Sequence, residues 1–270
     1  MKAATGFWSS DQKLNNIQKV LFYFLILFIP AQLGRHFWPD FAFIKGVRID
    51  YLSPTLYFTD TLILLVFVLW IFSRRKFLIS NFPRFAKASR GKQFSIAVLV
   101  VSLIVGIIFS KSPQAGTYGL IKLLEFTFLG FYIARNINKL KFQNVLLMFS
   151  IGIIFESLLS ISQYFNHGSL QGIFYFFGER FYNSQTPGIA NASLAGQLFL
   201  RPYGTFPHPN VLAGYLVIAM TLILGRIMNH ESRIKGIIFT STLIIGTIAL
   251  FLTLSRIAIM LWLIILSFYF

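Results

Sequence analysis

Cysteine is absent from the sequence, which excludes disulfides, thiolate nucleophiles and cysteine-ligated metals. Charge is scarce. Asp, Glu, Lys and Arg together make up 12% of the chain, about half the share of an ordinary soluble domain. Acids are scarcer still, 8 against 24 Lys and Arg. The few histidines and carboxylates form no group with metal-ligand spacing, so no metal and no other cofactor is expected. No small-residue cleavage pattern follows the first apolar run, so that run reads as a retained anchor. What remains is apolar. Hydrophobic residues make up 56% of the chain, and mean hydropathy is +0.71. They lie in long runs, which implies an all-α fold, a polytopic transmembrane helix bundle.

A spanning helix needs about 20 mostly apolar residues. Eight runs approach that length: 17–34, 54–72, 94–110, 117–134, 143–164, 210–228, 235–254 and 257–270. No long polar linker divides them, so 1–270 reads as a single membrane domain. The last run stops at Phe270, inside a span, which reads as truncation of a longer multi-pass pattern. The 73–92 loop carries seven basic residues and no acid. Basic loops stay in the cytoplasm, so the N-terminus is expected inside and 165–209, a long loop, outside. This job accounts for the basic run, and nucleic acid is not an expected partner; the bilayer is. Residues 172–183 mix aromatics with Glu179 and Arg180, a pattern suited to a helix lying in the membrane interface.

Ionisable residues inside spans are costly and tend to face a bundle interior or a wet cavity. Asp60, Lys122, Glu125 and Glu156 all fall in the outer halves of their expected spans. Lys122, Glu125 and Glu156 are therefore candidate cavity-lining residues. Gly152, Glu156, Ser160 and Gln163 recur at helical spacing and share one face. Packing between helices and a cavity open to the outside both suit that stripe.

The segment "RPYGTFPHPNVLAGYL" (201–216) sets Arg201 and His208 against the start of the sixth run. Asn210 occupies a position suited to an N-cap. Pro209 disfavours helical geometry at His208. A helix start attracts anions through its free amides and dipole. Arg201 adds a fork of donors for phosphate oxygens. Arg256 falls in the short turn before the last run. Arg201, Arg256, His208 and Asn210 are thus candidate substrate-binding residues for a lipid-linked phosphate or diphosphate.

The same segment, followed by "LTLSR" (252–256) and preceded by "DYLSPTLYFTD" (50–60), resembles the core of the O-antigen ligase and polymerase superfamily of bacterial membrane proteins. The resemblance implies a multi-pass, metal-independent glycosyltransferase of the inner (plasma) membrane, serving polysaccharide and cell-envelope synthesis. Its donor would be a glycan on undecaprenyl diphosphate, transferred at the outer face to a lipid or polysaccharide acceptor. Arg256 matches best the arginines that contact the diphosphate in that family, and Arg201 next. Members carry a later external loop with a histidine proposed to activate the acceptor, so 1–270 would be the N-terminal part of such a fold. His208 does not match that histidine, and the catalytic residues stay unassigned. A transporter or flippase of lipid-linked saccharide, or a non-catalytic membrane scaffold, is the alternative reading.

Overall fold

The computed structural model describes residues 3–73, 90–194, 196–227 and 233–269. Most of the basic 73–92 loop, residues 74–89, lies outside them.

A helix forms at each apolar run: α1 (Ala3–Phe28), α2 (Phe58–Ser73), α3 (Arg90–Ile108), α4 (Pro113–Asn136), α5 (Phe142–Asn166), α6 (Pro209–Ile227), α7 (Arg233–Leu252) and α8 (Arg256–Tyr269). Three segments, Pro113–Asn136, Phe142–Asn166 and Pro209–Arg226, are long and apolar enough to cross a membrane. They point to a membrane protein. With 16 and 14 residues, α2 and α8 reach only about 24 and 21 Å, short of a hydrocarbon core of roughly 30 Å. Several boundaries depart from the apolar pattern. The first helix begins at Ala3, because its polar first half carries no hydropathy signal. It ends at Phe28, just before Pro30, which fits the bias of the residue preceding a proline away from helical geometry. The 54–72 run opens with a strand rather than a helix.

The chain divides into two compact units. The first contains Met1–Phe22 and Gly34–Lys139. Its connection between α1 and α2 is folded, not a plain loop. Strand β1 (Gly34–His36) pairs antiparallel with the strand Thr55–Tyr57, and between them β2 (Phe43–Ile44) pairs with β3 (Val47–Arg48). Lys45 and Gly46 both have positive φ, 51° and 79°, as a two-residue hairpin turn requires. We number Thr55–Tyr57 β4. Gln18 of α1 donates to the Leu69 carbonyl and to Ser73 Oγ, both at 2.9 Å. Trp70 of α2 meets Phe128, Phe131 and Tyr132 of α4 edge-on.

The second unit contains Tyr23–Leu33 and Leu140–Phe270. Its core is the packing of α5, α6, α7 and α8 around Ile153, Leu216, Met220, Leu250 and Trp262. Trp262 donates its ring N–H to Thr247 Oγ1 at 3.0 Å, so the one polar atom of the ring is satisfied. The long 165–209 segment also folds. A 3-10 turn covers Gly172–Phe177, and β5 (Asn191–Leu194) pairs antiparallel with β6 (Gln197–Leu200). Tyr182, Leu200 and Tyr203 form a small core beneath the loop.

The expected interfacial helix over 172–183 is corrected on two counts. The helical part is the six-residue Gly172–Phe177, and Glu179 is buried, not displayed at a surface. Phe174 and Phe177 turn toward Phe155 of α5. Tyr175, Phe176 and Phe181 stay exposed.

Candidate functional site

A stripe along α5 organises the second unit. Gly152, Glu156, Ser160 and Gln163 are all buried. Gln163 makes four hydrogen bonds, the full capacity of its amide. Its Nε2 donates to Glu179 Oε1 at 2.7 Å and to the Gly204 carbonyl at 3.0 Å. Its Oε1 accepts the amides of Tyr203 at 3.1 Å and Gly204 at 2.7 Å. One side chain thereby fastens the middle of the long loop, at Glu179, and its far end, at Tyr203 and Gly204, to the helix. Glu179 also accepts the amides of Leu170 at 2.9 Å and Gln171 at 2.6 Å. Gln171, whose amide that carboxylate accepts, has a positive φ of 63° with ψ −152°.

Two turns further down the helix, Glu156 accepts the Thr205 amide on Oε2 at 3.0 Å, and its Oε1 lies 2.7 Å from Thr205 Oγ1. The same hydroxyl donates to the Pro30 carbonyl at 2.5 Å. Glu156 thus joins α5, the stretch before α6 and the end of the α1 segment. It also borders a cavity of about 190 Å3, whose other walls include Leu27, Pro30, Phe155 and Phe177. Gly204 fits over it only as glycine. A Cβ there would stand 2.3 Å from Glu156 Oε2, and φ is +60°.

The stretch around 201–210 reaches the surface. Arg201 Nε donates to the Thr253 carbonyl at 2.6 Å and Nη2 to Asn210 Oδ1 at 2.5 Å. The guanidinium therefore joins the start of α6 to the carbonyl end of α7. Partial burial pulls its pKa below the ordinary value. Asn210 is not the N-cap expected from the sequence, because its side-chain oxygen is taken by Arg201. His208 caps instead. Its Nδ1 accepts the Asn210 amide at 3.1 Å, and its carbonyl accepts from Val211 and Leu212. Pro209 takes the first helical position, where a missing N–H costs nothing. Burial, then the Arg201 charge, lowers the pKa of His208, as suits a ring nitrogen held as an acceptor.

The α7–α8 turn is tight. Leu254 has φ 50°, unusual for a leucine. The Ser255 carbonyl accepts from Ile259 at 2.9 Å, which opens α8 and leaves Arg256 at its first position. Arg256 is exposed. The ion pairs among the described residues both centre on Lys122 and do not involve it. It stands three positions after Thr253, so its Cα is within about 11 Å of the Cα of the residue whose carbonyl holds Arg201.

Lys122 and Glu125 belong to the first unit and have partners there. The Lys122 ammonium bonds Asp60 Oδ2 and Glu125 Oε2, the latter at 3.2 Å. The rings of Tyr57 and Tyr118 lie 5.7 and 5.8 Å from it. Asp60 sits in the first turn of α2 and accepts the Tyr57 amide at 2.8 Å. That is the return bond of a capping box. Glu156 makes its bonds inside the second unit, with Thr205.

Sequence reasoning did not single out Thr205, Pro30 or the inward turn of Glu179. The one legible signal was a lone acid inside an aromatic run. Comparison with protein-family models, curated proteins and solved structures finds no match.

Proposed function

We propose that the chain is a polytopic membrane glycosyltransferase of the O-antigen ligase type, or the N-terminal part of one. It would take a glycan from undecaprenyl diphosphate at the outer face of the bacterial inner membrane. The reading has eight spans, a cytoplasmic N-terminus and the 165–209 loop outside. The observation that carries it is the meeting of Arg201 with the α7–α8 turn that bears Arg256. The Arg201 guanidinium lies between the first turn of α6 and Thr253, and α8 starts at Arg256 three positions further on. Helix starts and arginine forks favour phosphate oxygens. The strained Leu254 beside Arg256 adds support, since such outliers gather at functional sites.

In this reading Arg256 is the anion contact. Arg201 is chiefly a positioning residue, with Nε and Nη2 spent on protein partners and its Nη1 donors left over. In the reaction, an acceptor hydroxyl attacks the anomeric carbon, and the bond from that carbon to the diphosphate oxygen breaks. The hydroxyl proton leaves to a base. Charge developing on the diphosphate is met by arginine.

The test is binding of undecaprenyl-diphosphate-linked saccharide to the purified chain. A charge-assisted contact is worth about 1.5–3 kcal/mol. Arg256→Ala should therefore weaken binding about tenfold or more, with the fold kept. Arg256→Lys should restore only part of it, because the fork is lost. Unchanged affinity in Arg256→Ala would overturn the reading.

A further inference from the structure

The chain that follows α5 does not lead straight away from it. Gly168 bridges to Asn183, the Ser169 amide donates to the Tyr182 carbonyl at 3.0 Å, and the Tyr182 amide donates to Ser169 Oγ at 3.1 Å. These bonds close a neck just beyond Asn166, the end of α5. Between the two sides of the neck the chain dips. Its tip, Gly172–Phe177, sets Phe174 and Phe177 against Phe155, with ring centroids 6.3 and 5.1 Å away. Phe155 stands 11 positions before Asn166, about 16 Å back along the helix, and side chains on a helix lean toward its N-terminus. The tip therefore hangs beside the middle of α5. Five positions lead from Ser169 to Phe174, up to roughly 17 Å of extended chain, which is enough to reach.

The helix α5 is long and apolar enough to cross a membrane. Its 25 residues reach about 37 Å, little more than a hydrocarbon core of roughly 30 Å, so its middle lies at acyl-chain depth. What the tip displays suits that depth. Ile173, Tyr175 and Phe176 are 67%, 61% and 68% exposed, and no residue from Gly168 to Gly178 is charged. Charge returns near the neck, where Arg180 is exposed beside Phe181. Backbone groups at acyl-chain depth have no water and must be satisfied by the protein. The Gly178 and Glu179 amides bond back to the Tyr175 and Phe174 carbonyls at 3.0 and 3.1 Å. The buried Glu179 carboxylate takes the amides of Leu170 and Gln171 on the opposite strand of the dip. That gives a lone acid in an aromatic run a purpose.

We propose that residues 169–182 form a re-entrant dip, and that its tip lies among the acyl chains of the leaflet at the C-terminal end of α5, contacting them through Ile173, Tyr175 and Phe176. A helix lying flat in the interface would hold 172–183 at one depth. The dip instead sets Phe176 deep and Ser184, just past the neck, at the surface. Only α5 has to cross the bilayer for this. The arginines at the α7–α8 turn and their glycan chemistry play no part, so either proposal can fail alone.

The chain has no cysteine, so one nitroxide label can be placed at a time, at Phe176→Cys, Tyr175→Cys, Ser184→Cys or Leu158→Cys. Leu158 is exposed on α5, three positions past Phe155. The full chain is reconstituted in vesicles of phosphatidylcholine and phosphatidylglycerol. Power saturation then reads collisions with oxygen, which concentrates among acyl chains, and with a neutral nickel chelate, which stays in water. The two tip labels and the Leu158 label should favour oxygen and the Ser184 label nickel, a reversal of the ratio across the neck. Thermal melts verify that the variants fold, and Tyr175→Cys decides the matter where Phe176→Cys does not fold. Tip labels that meet nickel as freely as the Ser184 label would overturn the proposal. With oxygen still preferred at Leu158, that result removes the dip and leaves α5 in the membrane; with nickel preferred there too, α5 fails with it. Tip labels shielded from both reagents would also overturn it, since a protein partner would then cover the face.

Discussion

At position 204 a single methyl group decides the packing. It would stand 2.3 Å from Glu156 Oε2 on a backbone with φ +60°, and neither the carboxylate nor the left-handed turn can give way cheaply. Gly204→Ala should lower stability by about 2–3 kcal/mol, read as a lower Tm of the purified protein. Gly214→Ala is the control, because a Cβ there meets nothing within 4 Å and alanine favours the helix. Glu156 gives a second contrast. The Thr205 hydroxyl has one hydrogen and donates it to the Pro30 carbonyl, so an N–H group in place of Glu156 Oε1 would face a free lone pair. Glu156→Gln should therefore melt close to the native chain. Glu156→Ala strands the buried Thr205 amide and should cost about 1–3 kcal/mol. Gly204 was legible in the sequence as a turn residue. Its partner was not, since the two are 48 residues apart and only the fold brings them together.

Among the elements, the start of α6 has the most explicit chemistry. Its cap is a histidine whose Nδ1 must stay unprotonated to accept the Asn210 amide. Its pKa lies below the ordinary 6.5, through burial and then Arg201. A folded pKa below the unfolded one means that the unfolded chain binds the proton more readily. The cap's contribution is therefore full above the unfolded value and is lost as pH falls through the lowered folded value. Asparagine caps without titrating. His208→Asn should hold its Tm better than the native chain between pH 7 and pH 5, and equal slopes would remove His208 as the cap. The signals for this helix start, Pro209 and the residues around it, were all in the sequence. Which side chain would cap was not, because Arg201, nine residues earlier in the same segment, folds back and takes the Asn210 oxygen.

For the whole molecule, the expected topology follows from charge alone. The chain has no cysteine, so single cysteines can be introduced without background. Ser80→Cys and Ser184→Cys should react with a membrane-impermeant thiol reagent from opposite sides of the membrane. Reaction of both from one side would overturn the orientation, and with it the outer-face location of the arginine turn. The helices themselves were legible because a long apolar run without charges has few other uses. Their polar extensions were not, as the first half of α1 shows.

The sequence by itself determined the helical class and the position of each helix, because apolar run length is a local property. It also determined the glycine and prolines that shape 201–210. Only the tertiary structure decided where the polar side chains spend their hydrogen bonds. Gln163 reaches two distant points of the loop, Glu179 turns inward to meet it, and Glu156 finds Thr205. Lys122 finds Asp60, 62 residues away. A buried polar group must be paired, so the sequence announces the need. The partner is whichever group the fold brings within about 3 Å, and spacing along the chain does not contain that distance.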